Sequence, residues 1–311
     1  MYDIYPIEYH RYNIFAMKKN LVYFGSPQFS AEILESLLTN PEINLVGIVT
    51  QKDKPVGRKQ IITPSPVSQT AEKHQLPTFK PDRLDDANLA HIKLLKPDIF
   101  LVVSYGKIIP QSWLDCPKVG TFNVHFSLLP KYRGALCISE AIKNQDKETG
   151  VTLMEMDSKL DHGNIISQSS ITIDTHDDYA TLSTKLTQEA IKIIERKLPE
   201  ICAQKYHSLP QDESLATYTP LHKNITRQDS YIPLTTLLKA TDGIGSSETY
   251  ALIRSLSPEP GAWTTVQGKD LKIISCTLID RKLVLNQVQL SGKQPISWKQ
   301  FSAGYKSTFK A

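Results

Sequence analysis

The sequence predicts an α/β protein: a mostly parallel sheet followed by a smaller β-rich, barrel-like domain. Three observations predict it. Over the first two thirds of the chain, short apolar runs alternate with amphipathic stretches; near residue 206 that rhythm stops; beyond it come strand-like pieces separated by Gly, Lys and Asp turns. At 311 residues the chain also exceeds the usual size of one domain.

Taken in order, the first sixteen residues carry Asp3 and Glu8 and lack the continuous apolar core of a signal peptide, so 1–16 is set apart as an extension outside the fold. Met17 opens the strand-like MKKNLVYFG, with Leu21 to Phe24 as first strand. In PQFSAEILESLL, residues Phe29, Ile33, Leu34, Leu37 and Leu38 fall at helical spacing, and Pro27 suits a first turn. Leu45 to Val49 completes a βαβ opening, and further strands are expected at Ile99 to Ser104, Phe122 to Phe126 and Val151 to Met156. Tyr179 to Lys205, with Leu182, Leu186, Ala190, Ile193 and Ile194 on one face, is a long helix closing a first domain at 17–205. Residues 206–222 have no period and form a linker. The second domain, 223–311, begins with a helix near Ser247 to Leu256 and continues through AWTTV, LKIISCTLI and LVLNQVQL.

Composition excludes more than it selects. Hydrophobic residues make up 40% and charged residues 22%, which fits a globular enzyme and not a disordered or fibrous chain. No apolar run approaches the roughly 18 residues of a membrane helix, so a cytoplasmic protein is expected. Cys116, Cys137, Cys202 and Cys276 form no C-x-x-C pair and suggest neither zinc nor disulfides. From Gln211 onward there are twelve Lys and Arg against eight Asp and Glu, so the whole net charge of +4 sits in the last third. That favours a polyanion partner there, although an ordinary soluble surface carries as much.

FGSPQF, at the end of the first strand, has one glycine where a dinucleotide fingerprint needs three, and there is no P-loop. Nicotinamide and ATP sites are disfavoured. In GTFNVHFSLLPKYRG, Asn123, His125 and Ser127 are spaced by two, so a strand puts all three on one face. Asn and His two apart on an apolar strand must each find a partner. Some thirty-five residues later MDSKLDHGN offers Asp157 and Asp161 in a turn after a strand, and spacing does not choose between them as partner for His125. A carboxamide, an imidazole and a carboxylate together suit acyl transfer without a covalent intermediate: Asn123 donates to an oxyanion and His125 mediates proton movement, with no metal needed.

These residues resemble the folate-dependent formyltransferases. The match runs from about Lys19 to Tyr305 and includes FGSPQF, VTQKDKPVGRKQIITPSPV, VVSYGKIIP, NVHFSLLPKYRG, TGVTLMEMDSKLDHG, LSPEPGAW and PISWKQFSAGY. The TPSPV loop and PGAW module point to the branch that acts on charged tRNA. The resemblance implies a Rossmann-like catalytic domain and a formyl group moved from 10-formyltetrahydrofolate to an amine, the α-amino group of methionine on initiator tRNA. It implies a catalytic trio of Asn123, His125 and Asp161, in preference to Asp157. It further implies a folate site bordered by Tyr105 and Gly106 of SYGKIIP and by Ser127, Leu128, Leu129 and Pro130. Lys52, Lys54, Arg58 and Lys59 in the loop Gln51 to Pro66 would meet the acceptor stem, the C-terminal domain would bind tRNA, and the protein would be a monomer.

The chain departs from the family pattern at Leu136 and Cys137, where Ala-Pro is usual, and at His162, which replaces a common Thr beside Asp161. The basic GRKQ loop is also short. Rival readings are a formyltransferase acting on a sugar-nucleotide amine, a hydrolase using water as acceptor, and a catalytically silent tRNA-binding protein.

Overall fold

The structure, a computed structural model, describes residues 18–57, 59–220 and 225–305. The expected extension at 1–16 and Arg58 lie outside the described residues.

The chain opens with β1 (Lys19–Gly25), α1 (Gln28–Leu37) and β2 (Ile43–Val49), the predicted βαβ unit, with parallel pairing of β1 and β2. Pro27, extended at φ −74°, precedes α1 and presets its first turn. A hairpin of β3 (Lys54–Val56) and β4 (Ile61–Thr63) follows. Next come α2 (Pro66–Lys73), capped by the Ser65 hydroxyl, β5 (Thr78–Phe79), α3 (Asp86–Leu94), capped by Asp85, and β6 (Ile99–Val103). The short α4 (Gln111–Leu114), β7 (Gly120–His125), α5 (Cys137–Lys143), β8 (Glu148–Glu155) and β9 (Ile165–Thr172) lead to α6 (Tyr179–Cys202). A capping box between Asp178 and Thr181 starts α6, which ends three residues short of the predicted Lys205.

Seven strands form one sheet in the order β5-β2-β1-β6-β7-β8-β9, parallel from β5 to β7 and antiparallel at β8 and β9. Both faces are covered. In β1, Leu21 and Tyr23 pack with α1, α2 and α6, while Val22 and Phe24 pack on the other side with α3 and α4; Ile99, Leu101 and Val103 alternate with Phe100 and Val102 in the same way. β7 keeps this parity, sending Phe122 and Val124 into the first layer. Asn123, paired with Val102, and His125 therefore lie on the second face, where their neighbours on β1 and β6 are wholly apolar. Strand order reverses at β1 and β6, and in such sheets ligands bind at the carboxyl ends beside that switch.

After a stretch whose described residues hold a 3-10 turn (Glu213–Leu215) and no named strand come α7 (Leu234–Thr241), α8 (Ser246–Ser255), β10 (Trp263–Val266), β11 (Lys269–Ile279), β12 (Lys282–Leu290), β13 (Ile296–Ser297) and α9 (Trp298–Gly304). The four strands form an antiparallel sheet in sequence order, with bulges in β11. Its own core joins Leu237, Ile253, Ile273 and Leu285. Helix α8 packs against α5, which follows β7 of the seven-stranded sheet. There Arg254 donates to the Asp177 carbonyl, and the Ser257 hydroxyl donates 3.0 Å to the Asp178 carboxylate.

Candidate active site

Asn123 and His125 end β7 and are 8% and 6% exposed. Among the described residues the Asn123 carboxamide makes no hydrogen bond, and it is not one of the fully enclosed unpaired groups, so its amide stays open to solvent or to a ligand. His125 is fixed by its far nitrogen. Nε2 lies 2.9 Å from the Tyr132 carbonyl oxygen, which can only accept, so Nε2 carries a proton and donates. Nδ1 is thereby the nitrogen left to exchange protons, and it faces Asp161 Oδ2 at 3.7 Å. That distance is too long for a hydrogen bond but close enough for strong attraction between an imidazolium and a carboxylate. The ring is thus oriented by a backbone carbonyl, with the carboxylate supplying charge.

Asp161 is held on its own account. Its Oδ2 accepts 2.7 Å from the Gly134 amide, and its backbone is left-handed at φ +46°. The alternative, Asp157, takes no part: its carboxylate meets His162 Nδ1 at 2.6 Å. His162 Nε2 lies 3.5 Å from Glu213, so the second imidazole is engaged between two carboxylates and is not turned to His125. Cys137 is enclosed at the start of α5, and burial, with the nearby Asp161 charge adding, pushes its thiol up to about 12. It is a neutral packing group.

The residues expected around a folate divide. Ser104, Tyr105 and Gly106 follow β6 at the carboxyl edge, where the Tyr105 carbonyl accepts from Gln51 at 2.7 Å and from the Ser26 hydroxyl at 3.3 Å. The Tyr105 ring, however, is buried against Phe24 with centroids 5.5 Å apart. Leu129 is buried too, and the Ser127 hydroxyl is spent on the Lys131 carbonyl at 2.6 Å. Any part these three play in lining a ligand falls to their backbone: the Leu129 side chain and the Tyr105 ring, whose hydroxyl is buried without a partner among the described residues, are enclosed, and the Ser127 hydroxyl is satisfied. Gly106, Leu128 and Pro130 remain at least partly open. Gly106 has φ +80°, and a Cβ there would meet Gln51 Nε2 at 2.4 Å, so this turn needs glycine. Ile108, 81% exposed beside it, was not singled out from the sequence; only its exposure marks it.

Of the basic loop, Lys52 pairs with Asp82 at 2.5 Å and Lys54 donates to Gln51, while Lys59 follows Gly57 in the tip between β3 and β4. The hairpin also exposes Val56, Ile61 and Ile62, each more than half open. Sequence reasoning counted the cations and missed this apolar edge.

A Rossmann-like sheet carrying an amide, an imidazole and a carboxylate at its carboxyl edge has the groups that an acyl-transfer enzyme needs. Residues 18–198 match the model of the formyl transferase family, and the chain belongs to that family. Within it, the chain is 40% identical to the methionyl-tRNA formyltransferase of Dictyoglomus thermophilum, covering 92% of this chain and 97% of the relative. It is likewise 40% identical to the methionyl-tRNA formyltransferase of Staphylococcus epidermidis, with 84% of this chain and 81% of that protein covered. Among solved structures, the N-formyltransferase of Helicobacter canadensis in complex with folinic acid and dTDP-3-aminofucose superposes with a TM-score of 0.61 at 22% identity, over 90% of this chain and 99% of that one. A 4-N formyltransferase from Francisella tularensis gives 0.64 at 14% identity, over 83% and 97%. At those identities the likeness is one of fold.

Proposed function

We propose that the chain transfers the formyl group of 10-formyltetrahydrofolate to the α-amino group of methionine on initiator tRNA. What carries this reading is the unengaged Asn123 amide beside a His125 whose Nδ1 is free toward Asp161. The acceptor is supported by relatives of that name at 40% identity over nearly the full chain. An α-amino group of ordinary pKa near 7.7 to 8.0 is roughly 10% neutral at pH 7, so freeing it costs only about 1 kcal/mol. The larger barrier lies in the tetrahedral oxyanion and the departing folate nitrogen. Asn123 Nδ2 donates to the oxyanion as charge develops. His125 Nδ1 receives the proton shed by the attacking amine and returns it to folate N10, and Asp161 stabilises the imidazolium in between.

Tyr105, Gly106, Ser127, Leu128, Leu129 and Pro130 border the folate in this reading, the three enclosed residues through their backbone. Lys52, Lys54, Arg58 and Lys59 meet the acceptor stem, and the domain 223–311 binds the tRNA body mainly through phosphates. The unit works as a monomer without metal. Incubation with 10-formyltetrahydrofolate and methionine-charged initiator tRNA tests the proposal: formylmethionyl-tRNA is the expected product. Formate alone would replace it with a hydrolase, and formylation of an amino-sugar nucleotide with none of tRNA would replace the acceptor.

A further inference from the structure

Residues 209–219, which follow α6, are bonded to the first part of the chain at both ends and between. Leu209 exchanges backbone hydrogen bonds with Ile165 at 2.8 and 2.9 Å. Ten residues on, the Arg133 amide donates 2.9 Å to the Thr217 carbonyl, the Thr219 amide donates 2.8 Å to the Arg133 carbonyl, and the Tyr132 amide donates 2.9 Å to the Thr217 hydroxyl. Between these ends, the Gln211 side chain joins the two loops that carry the proposed chemistry. Its Oε1 accepts from Arg133 Nε at 3.1 Å and from a terminal guanidinium nitrogen at 2.8 Å. Its Nε2 donates to the backbone carbonyls of Asp161 at 2.9 Å and Gly163 at 2.8 Å.

A guanidinium only donates and a carbonyl only accepts, so this amide fits in one orientation and is satisfied on both sides. Arg133, 1% exposed, has no other place for its charge than Gln211, Glu213 and Tyr218. Gln211 therefore ties the loop whose Tyr132 carbonyl orients His125 to the left-handed turn that presents Asp161.

We infer that Gln211 is a positioning residue for formyl transfer, holding the Asp161 turn at its distance from His125 by a bridge from Arg133 to two turn carbonyls. The inference rests on the catalytic reading of Asp161. Glutamate at 211 would keep the Arg133 partner and strengthen it, but would face two carbonyls with lone pairs and push the turn away. A displacement on the order of 1 Å in a catalytic group costs up to about a hundredfold. Gln211→Glu should lower kcat for formyl transfer by about tenfold to a hundredfold, with KM for the folate unchanged and the melting temperature kept by the Arg133 pair. Gln211→Ala, which adds no charge, should lower kcat in the same sense.

A double-mutant cycle separates positioning from general loosening. In an Asp161→Asn background, Gln211→Glu should cost less than threefold, because the group it positions has already lost its charge. Losses that multiply in the double variant, or a Gln211→Glu enzyme within twofold of the parent, would overturn the inference and leave the catalytic reading standing. Parental turnover in Asp161→Asn alone would bring down the catalytic reading itself.

Discussion

Asp161→Asn removes one charge and little else, because the amide oxygen can still accept from the Gly134 N–H that Oδ2 takes at 2.7 Å. Its effect can be worked from the 3.7 Å between His125 Nδ1 and Asp161 Oδ2. Two unit charges at that separation attract by about 4.5 kcal/mol at an effective dielectric near 20, and by about 1 kcal/mol in bulk water. The side chains are 7% and 14% exposed, which places the pair toward the protein value. Asn retains part of the attraction through its dipole, so the imidazolium should lose about 2 to 4 kcal/mol. With each 1.36 kcal/mol worth a factor of ten, single-turnover formylation should slow by roughly thirtyfold to a thousandfold. The assay mixes enzyme in excess with labelled methionine-charged tRNA and saturating 10-formyltetrahydrofolate, and follows formylmethionyl-tRNA. Folate binding, measured separately, should be unaltered. A rate within threefold of the parent would show that no charge builds on His125 in the slow step, and the proton route through Nδ1 would be abandoned.

Asn123→Ala should lower kcat by about a hundredfold to a thousandfold, as loss of an oxyanion donor does; near-native turnover would exclude the amide from catalysis. Arg58→Ala should raise KM for charged tRNA and leave folate affinity unchanged, since phosphate contacts position the acceptor; matched binding assays check it, and an equal folate defect would refute it. Burial raises the Asp177 carboxyl, but Lys185, the Asp174 amide and the Thr181 hydroxyl together hold it below its ordinary 3.8. A carboxyl depressed on folding contributes stability that is complete above that value and is lost as pH falls through the lower folded one. The melting temperature should therefore drop on acidification below about pH 4, and drop less steeply in Asp177→Asn; parallel acid limbs in scanning calorimetry would contradict this.

The elements legible in the sequence were those whose burial pattern is self-contained. Val22 and Phe24 alternate with Leu21 and Tyr23 because both faces of β1 are covered, and the helical spacing of Phe29 to Leu37 follows from one face of α1 lying on the sheet. β9 escaped notice because its residues, IISQSSIT, are half-polar at the sheet's outer edge, where one neighbour suffices. The β3-β4 hairpin escaped because each strand is only three residues long and its apolar side chains are exposed, so there is no buried face to set a period. α5 was hidden for another reason: it follows a loop in which Tyr132 and Gly134 have positive φ, and no capping side chain marks its start.

At the site, period two put Asn123 and His125 on one face, and this held because β7 is regular to its last residue. It stopped there. Ser127 lies past the strand end in a turn that bends its hydroxyl onto Lys131, so extrapolating the alternation by one more step misplaces it. Asp157 and Asp161 could not be separated by spacing because the contact that singles out Asp161 comes from the Gly134 amide, 27 residues away, whereas Asp157 is taken by the His162 ring five residues on. The stretch after α6 was least legible of all. Its described residues hold one short 3-10 turn, Glu213–Leu215, and isolated bridges, and a segment whose bonds go to partners some eighty residues away has no reason to show a period of its own. Lack of pattern in QDESLATYT is therefore compatible with a connector and with a strap, and what decides between them is Arg133. A buried guanidinium must be matched by acceptors, and among the described residues those of Arg133 are Gln211, Glu213 and Tyr218, all three from this segment.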